Sequence, residues 1–329
     1  MPAPRDPSTL LAAARLYYLQ NRSQAEIARE LGTSRSNVSR MLTEAQRQGI
    51  VTITVHDPSG RVTTLETELR NRFGLTDVRV AQRDAAASVK VEEQVGAQAA
   101  ALLTELISDS MTVALSWGHA LQAMVYATEV QRDYNIRLTQ LVGGLSSISN
   151  EISGAELVRE LATRLGAEYV SLHAPATLGS EVARDALLAE PSILEALDVA
   201  RSADLAFVGI GTPSHGSSSA ILSSMQLSPL EEKEFWATEP VGDLAARYFD
   251  VQGREVKGAV SERILAIDLD DLRNIPNVVG VAYGRAKTPG VLGALRGRLV
   301  DSLVCDEALA RALLSESATK PDPDRRRTS

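Results

Sequence analysis

Cysteine is almost missing from this 329-residue chain, where Cys305 stands alone. No disulfide can form within it, and no cysteine spacing exists that would hold a structural zinc ion. Long apolar runs are missing too. None approaches the ~18 residues of a membrane-spanning helix, and residues 1–7 lack the apolar stretch of a signal peptide. No Gly-Lys-Ser/Thr phosphate loop is present. Gly209-Ile210-Gly211 is not a dinucleotide fingerprint, because Ser214 holds the place of the third glycine. No repeat of fixed period occurs. These absences lead us to expect a cytoplasmic protein with no membrane contact, no metal and no cofactor.

Lysine is absent from residues 1–56, which carry seven arginines against four acids, a net +3. The total of −8 therefore leaves −11 on residues 57–329. A basic head on an acidic body suits a protein that meets DNA through one end, since the body repels the phosphate backbone. The length allows about two domains, and a hydrophobic content of 44% can fill a large core.

The head contains the most specific pattern. Ser23 and Glu26 have capping-box spacing, and Ile27, Ala28 and Leu31 follow on one helical face. Ala28 is small, as a close helix crossing requires. Gly32 sits where the first helix must stop, and Thr33 or Ser34 can cap the next. Val38, Met41, Leu42 and Ala45 form the buried stripe of that second helix. Arg35, Ser36, Asn37, Ser39 and Arg40 are left facing outward, with no acid before Glu44. Arginine pairs with guanine or phosphate, asparagine with adenine, and serine with phosphate. The pattern is a helix-turn-helix, and Ser34, Arg35, Ser36, Asn37, Ser39 and Arg40 are its candidate DNA contacts. An ordinary helical hairpin with a solvated face would share the polar residues. The common register of cap, small residue, glycine turn and apolar stripe favours DNA binding.

Leu10, Leu11, Ala14, Tyr17 and Tyr18 predict a helix behind this pair, and alternation over 51–55 predicts a strand. Asp57-Pro58-Ser59-Gly60 reads as a turn or linker. We place the domains at 1–56, 57–314 and a disordered tail at 315–329, rich in Ser, Pro and charge. In the large domain, Val62, Leu65, Leu69 and Phe73 keep helical spacing. Strand candidates at 78–81, 112–116, 138–142, 169–172, 205–210, 264–268, 278–283 and 302–305 then alternate with helical stretches near 91–107, 119–129, 154–165, 181–200, 289–296 and 306–314. This alternation predicts an α/β fold with a parallel, doubly wound sheet.

In such sheets ligands bind beyond the carboxyl ends of the strands. Four segments fall there: Ser116-Trp117-Gly118-His119-Ala120-Leu121, Gly143-Gly144-Leu145, Val208-Gly209-Ile210-Gly211-Thr212 and Tyr283-Gly284-Arg285-Ala286-Lys287. The first can aim backbone N–H groups at an anion. Lys287 can reach a ligand phosphate or hydroxyl, or remain a surface lysine. Asp243 can accept sugar hydroxyls, or cap a helix. His119 is the best placed of the four histidines, though a lone histidine is more often structural. Glycines after strands are as often mere turn residues.

Together these residues resemble the SorC family of sugar-responsive bacterial transcriptional regulators, often grouped with DeoR-type proteins. The resemblance runs from about Leu10 to Leu314. It is carried by Ala14-Arg15-Leu16-Tyr17-Tyr18, Ser23 to Ala28 and Ser34 to Arg40 in the head. In the body it is carried by Trp117-Gly118, Leu141-Val142-Gly143-Gly144, Asp204 to Gly211, Gly242-Asp243 with Tyr248-Phe249-Asp250, Lys287-Thr288-Pro289, Gly293-Ala294-Leu295 and Leu303 to Glu307. It implies an effector domain related to sugar-phosphate isomerases such as the ribose-5-phosphate and glucosamine-6-phosphate enzymes. It implies homo-oligomers, commonly tetramers, whose DNA binding shifts with a bound sugar-type metabolite. By position, Trp117, Gly118, His119, Ala120 and Leu121 would form the phosphate loop, and Gly143, Gly144, Gly209, Gly211, Asp243 and Lys287 would line the pocket. One departure stands out: Ala120 occupies the place where the family usually has threonine. A lost hydrogen bond to a charged group is worth about 1.5–3 kcal/mol, roughly ten- to a hundredfold in affinity. That shifts the expectation toward a neutral sugar or sugar alcohol.

The expected function is a regulator of carbohydrate genes that binds operator DNA under control of a sugar, sugar alcohol or sugar phosphate. The alternative is a sugar-phosphate isomerase with an appended DNA-binding domain. Its acid–base groups would come from Asp243, Asp306 and His119, which form no compact constellation in the sequence.

Overall fold

The computed structural model describes residues 6–51, 60–83, 89–129, 133–144 and 154–318. The chain divides into two compact units, Met1–Asp57 and Pro58–Ser329.

The small unit is helical. Helix α1 (Pro7–Ala14) starts on the Asp6 cap and runs into a wider turn, Arg15–Leu19, in which the Gln20 amide bonds the Arg15 carbonyl. Helices α2 (Gln24–Glu30) and α3 (Arg35–Arg47) follow. Leu10, Ala13, Ala14, Leu16, Ile27, Ala28, Val38, Met41, Leu42 and Ala45 close one core, with Tyr17 and Tyr18 half-buried against it. Leu11, expected inside, is exposed, and Leu16 is buried instead. Leu11 sits about 100° around α1 from Leu10, off the face that Leu10, Ala13 and Ala14 bury. Of the expected strand at 51–55, Val51 is not in a strand and residues 52–55 lie outside the described residues, as do 57–59 of the expected turn.

The large unit is built on a parallel sheet. Its strands are β1 (Asp77–Ala81), β2 (Thr112–Leu115), β3 (Arg137–Gln140), β4 (Glu168–Tyr169), β5 (Leu205–Gly211), β8 (Val278–Ala282) and β9 (Ser302–Asp306). Their spatial order is β1-β9-β8-β5-β2-β3-β4, and every adjacent pair is parallel. A short antiparallel hairpin, β6 (Gly242–Leu244) and β7 (Arg247–Phe249), is appended to the end of β5. The helices are α4 (Thr63–Phe73), α5 (Val91–Leu106), α6 (His119–Ala127), α7 (Gly154–Leu165), α8 (Glu181–Leu188), α9 (Pro191–Arg201), α10 (Gly216–Ser224), α11 (Pro229–Ala237), α12 (Leu269–Asn274), α13 (Thr288–Arg296) and α14 (Glu307–Ala318). From β2 the chain steps outward to β3 and β4. From β5 it steps the other way to β8 and β9. Crossovers between parallel strands are almost always right-handed, so steps in opposite directions put helices on both faces. Accordingly α5, α6 and α7 pack in series, as do α13, α14 and α4.

Several expected elements differ. The single helix expected over 181–200 is two, because Pro191 has no N–H to donate and disfavours helix in the residue before it. Residues 264–268 make only isolated bridges, Ile264 to Thr177 and Ala266 to Val142, and do not join the sheet. Strands β3 and β4 end before Val142 and Leu172. The last helix runs to Ala318, so residues 315–318 of the expected tail are helical, and residues 319–329 lie outside the described residues.

Candidate functional site

In the small unit the capping box forms as spaced. The Glu26 amide donates to Ser23 Oγ at 3.3 Å, and the Ser23 amide donates to Glu26 Oε2 at 2.9 Å. Gly32 takes a φ of +59°, which a side chain would resist. Ser34, rather than Thr33, caps α3, accepting from the Asn37 amide at 3.2 Å. Arg35, Ser36, Ser39 and Arg40 are exposed on one side of α3, opposite its buried stripe of Val38, Met41, Leu42 and Ala45. Ser34 also approaches Ser36 Oγ at 3.0 Å. Asn37 is half-buried, and its side-chain amide donates to Thr33 Oγ1 at 2.7 Å, so it braces the turn as much as it faces outward.

In the large unit a cleft of about 290 Å³ opens beyond the carboxyl ends of β2, β5 and β8. This is where the strand connections reverse, the position at which open α/β sheets bind ligands. Three helical starts reach it: Gly118 to Ala120 at α6, His215 to Ser218 at α10, and Ala286-Lys287 before α13. The first turn of a helix leaves amide donors unsatisfied and carries positive potential, so the cleft favours negative charge.

Strand β5 makes room for this by glycine. A Cβ on Gly209 would lie 2.8 Å from the Trp117 carbonyl oxygen. A Cβ on Gly211 would overlap Asp243 Oδ1 and Ser218 Oγ. The hairpin register sets Asp243 directly opposite Gly211. Asp243 is thus a strand residue and not the helix cap it could have been. It accepts from Ser218 Oγ and, at 3.3 Å, from the Ala246 amide. Burial raises its carboxyl above the ordinary range, against the lowering effects of Ser218, Lys287 and the Ala246 amide. Lys287 is lowered by burial, with Asp243 acting in the other direction, and its Nζ donates to the Ile210 carbonyl.

Eight of the expected pocket residues line this cleft: Trp117, Gly118, His119, Ala120, Gly209, Gly211, Asp243 and Lys287. Three do not. Leu121 is fully buried core in the first turn of α6. Gly143 and Gly144 pack against the backbone of 174–176, where the Gly144 amide bonds the Ala174 carbonyl and a Cβ on Gly143 would lie 2.6 Å from it. Their glycines serve a close chain crossing. The sequence reading named Thr212 and Tyr283 only as members of strand-end segments, and it missed His215, Ser217 and Ser218. Thr212 to Ser218 could have been read as another strand-to-helix loop. Ala120 brings no hydroxyl, but Ser217 and Thr212 do, and Thr212 Oγ1 is buried without a partner among the described residues. Asp306 lies outside the cleft. It accepts from the Gly284 amide at 2.8 Å and the Ala308 amide at 3.2 Å, a structural role at the start of α14. Asp243 and His119 therefore have no third acid–base partner from Asp306.

Residues 57–315 match the family model described as "Putative sugar-binding domain", and residues 7–61 match the MarR family model. The sorbitol operon regulator of Klebsiella pneumoniae is 30% identical over 314 residues, covering 94% of this chain and 98% of that protein. The deoxyribonucleoside regulator of Bacillus subtilis is 27% identical over 306 residues, covering 93% and 97%. The crystal structure of the full-length Klebsiella regulator superposes with a TM-score of 0.71 at 29% identity, over 93% of this chain and 98% of that one. These relatives are named as regulators and not as enzymes.

Proposed function

The chain belongs to the SorC family of sugar-responsive, DeoR-type transcriptional regulators, and from that membership we propose that a phosphorylated sugar or sugar alcohol in the β2/β5/β8 cleft sets the affinity of α3 for operator DNA. The observation that carries the effector class is the convergence of three helical starts, Lys287 and Asp243 on one cleft. Lys287 and Asp243 offset each other in charge, so the surplus positive potential comes from the helix starts, which suits a phosphate. Asp243, Ser217 and Thr212 supply acceptors and hydroxyls for a polyol. The missing threonine at Ala120 is offset by these neighbours, so the phosphorylated ligand is expected to bind more tightly than the neutral one.

Arg35, Ser36, Ser39 and Arg40 face the major groove in this reading, with Ser34 and Asn37 at the helix start. The active form is a homo-oligomer, a dimer or tetramer, because two heads must meet half-sites one helical turn apart. It acts in the cytoplasm, where its DNA is. Among the described residues no helix is long and apolar enough to cross a membrane. The ligand works by binding two arrangements of the oligomer unequally.

The effector class is tested by melting the full-length protein with sugars, alditols and their phosphates, since a ligand of the native state raises the melting temperature. Shifts with phosphates support the reading. Shifts with neutral polyols alone would move the assignment to an unphosphorylated effector, and no shift across the panel rejects it. For the head, Arg35→Ala and Arg40→Ala should each lower affinity for duplexes selected by the wild type by about tenfold. Each should also reduce the salt slope by about 1 for every phosphate that the arginine neutralises. Melting shifts with the panel should stay unchanged. Unaltered DNA affinity in both variants would remove α3 as the recognition helix.

A further inference from the structure

Gln140 is the last residue of β3, paired in register with Leu115 and so one residue from the cleft loop that begins at Ser116. It is 1% exposed, and neither its Nε2 nor its Oε1 has a partner among the described residues. Of the other polar groups near the cleft, Ser116 Oγ accepts from the Gly209 amide at 3.0 Å and Ser218 donates to Asp243, while Thr212 Oγ1 in the cleft wall is, like Gln140, buried without a partner among the described residues. A buried amide with all its donors and acceptors unmet costs stability, and such a group in a native protein calls for an explanation.

The surroundings supply one. A Cβ placed on Gly154, at the start of the 12-residue α7, would lie 3.6 Å from Gln140 Oε1, 3.7 Å from Trp117 Cε3 and 3.9 Å from the Ser116 carbonyl oxygen. These are ordinary contact distances, so glycine at 154 leaves room for about one methyl group between the amide, the indole and the first turn of α7. Trp117 also lines the cleft, so this one residue borders both.

Resting on the effector reading above, we infer that Gln140 is a specificity-determining residue of an inner subsite behind Trp117, where its amide takes hydroxyl groups of the bound polyol. The amide is neutral and offers both donors and acceptors. A phosphate only accepts and would leave Oε1 unmet, and an ammonium only donates and would leave Nε2 unmet. Hydroxyls do both. The ligand is thus oriented, with its anionic end at the helical starts and its hydroxyl-bearing end at Gln140.

The test uses the full-length protein with Gln140→Leu, its second version Gln140→Met, and Thr139→Val as control. Thr139 is the adjacent residue, points to the other face of β3, and also has a buried hydroxyl without a partner among the described residues. Melting without ligand and titration with inorganic phosphate and with five- and six-carbon alditol and sugar phosphates are measured. The inference expects the Gln140 variants to melt no lower than wild type without ligand. They should bind the polyol phosphates at least tenfold more weakly and bind inorganic phosphate unchanged, while Thr139→Val binds all probes like wild type. Failure to fold, or a lower melting temperature in both Gln140 variants, makes the amide structural and overturns it. Equal polyol phosphate affinity in wild type and variants overturns it while leaving the effector reading standing. A wild type that binds none of the polyol phosphates overturns both.

Discussion

Gly211 and Asp243 face each other across the β5–β6 pairing, and each explains the other. The carboxylate occupies the volume that a side chain at 211 would need, and Ser218 and Ala246 hold it there. Because burial raises the Asp243 carboxyl, the folded protein holds that proton more tightly than the unfolded chain. The sign of the linkage follows. The charged carboxylate destabilises the fold at neutral pH, and the penalty is relieved as pH falls through the raised folded value toward 3.8. Asp243→Asn removes this relief. Melting curves of the two proteins from about pH 7.5 to 4 should show the wild type gaining relative to the variant as pH falls. A difference that stays constant over the range refutes buried titration at this residue. Lys287 adds the opposite linkage at the alkaline end, since burial lowers it and its penalty is relieved as pH rises toward 10.5. The Asp243 side chain was identifiable in the sequence, but its setting was not. Nothing local announces that residue 243 will lie opposite residue 211.

At the scale of elements, local chemistry decided more. The Ser23–Glu26 box, the Gly32 turn and the Ser34 cap are all present in the expected register. Ser23→Ala should destabilise α2 by about 1 kcal/mol, typical of a lost N-cap. In the full-length protein this should appear as faster hydrogen exchange of the α2 amides, with the amides of β5 and β8 unchanged. Equal exchange in α2 would mean the box contributes nothing. The β6–β7 hairpin was missed for a physical reason. Its turn residues, Ala245 and Ala246, both take positive φ, at 50° and 65°. Turns of this kind normally announce themselves with asparagine or glycine. Here the Asp243 carboxylate and the surrounding packing hold two alanines in that conformation, and alanine gives no turn signal. The split at Pro191 was readable in principle, since proline at a first helical position marks a start.

At the scale of the whole molecule, the two units have separate cores, one of ten buried residues around α1 to α3 and one spanning the sheet. A ligand of the cleft should therefore stabilise one unfolding transition and not the other. In calorimetry of the full-length protein, a polyol phosphate at 100 times its Kd should add about 2.7 kcal/mol to the larger transition and leave the smaller one in place. Equal displacement of both would show that the units unfold as one. The sequence by itself determined the helix-turn-helix, the charge split between head and body, and the alternation that builds a parallel sheet, because caps, periodicity and composition act over a few neighbouring residues. It also placed Trp117 to Ala120, Gly209, Gly211, Asp243 and Lys287 among the candidates. Only the tertiary structure decided that these eight residues share one cleft, that Gly143 and Gly144 serve a chain crossing elsewhere, and that Gln140 is buried with its amide unmet among the described residues. Those outcomes depend on strand order and on pairings between residues from about 20 to more than 200 positions apart, which no local pattern encodes.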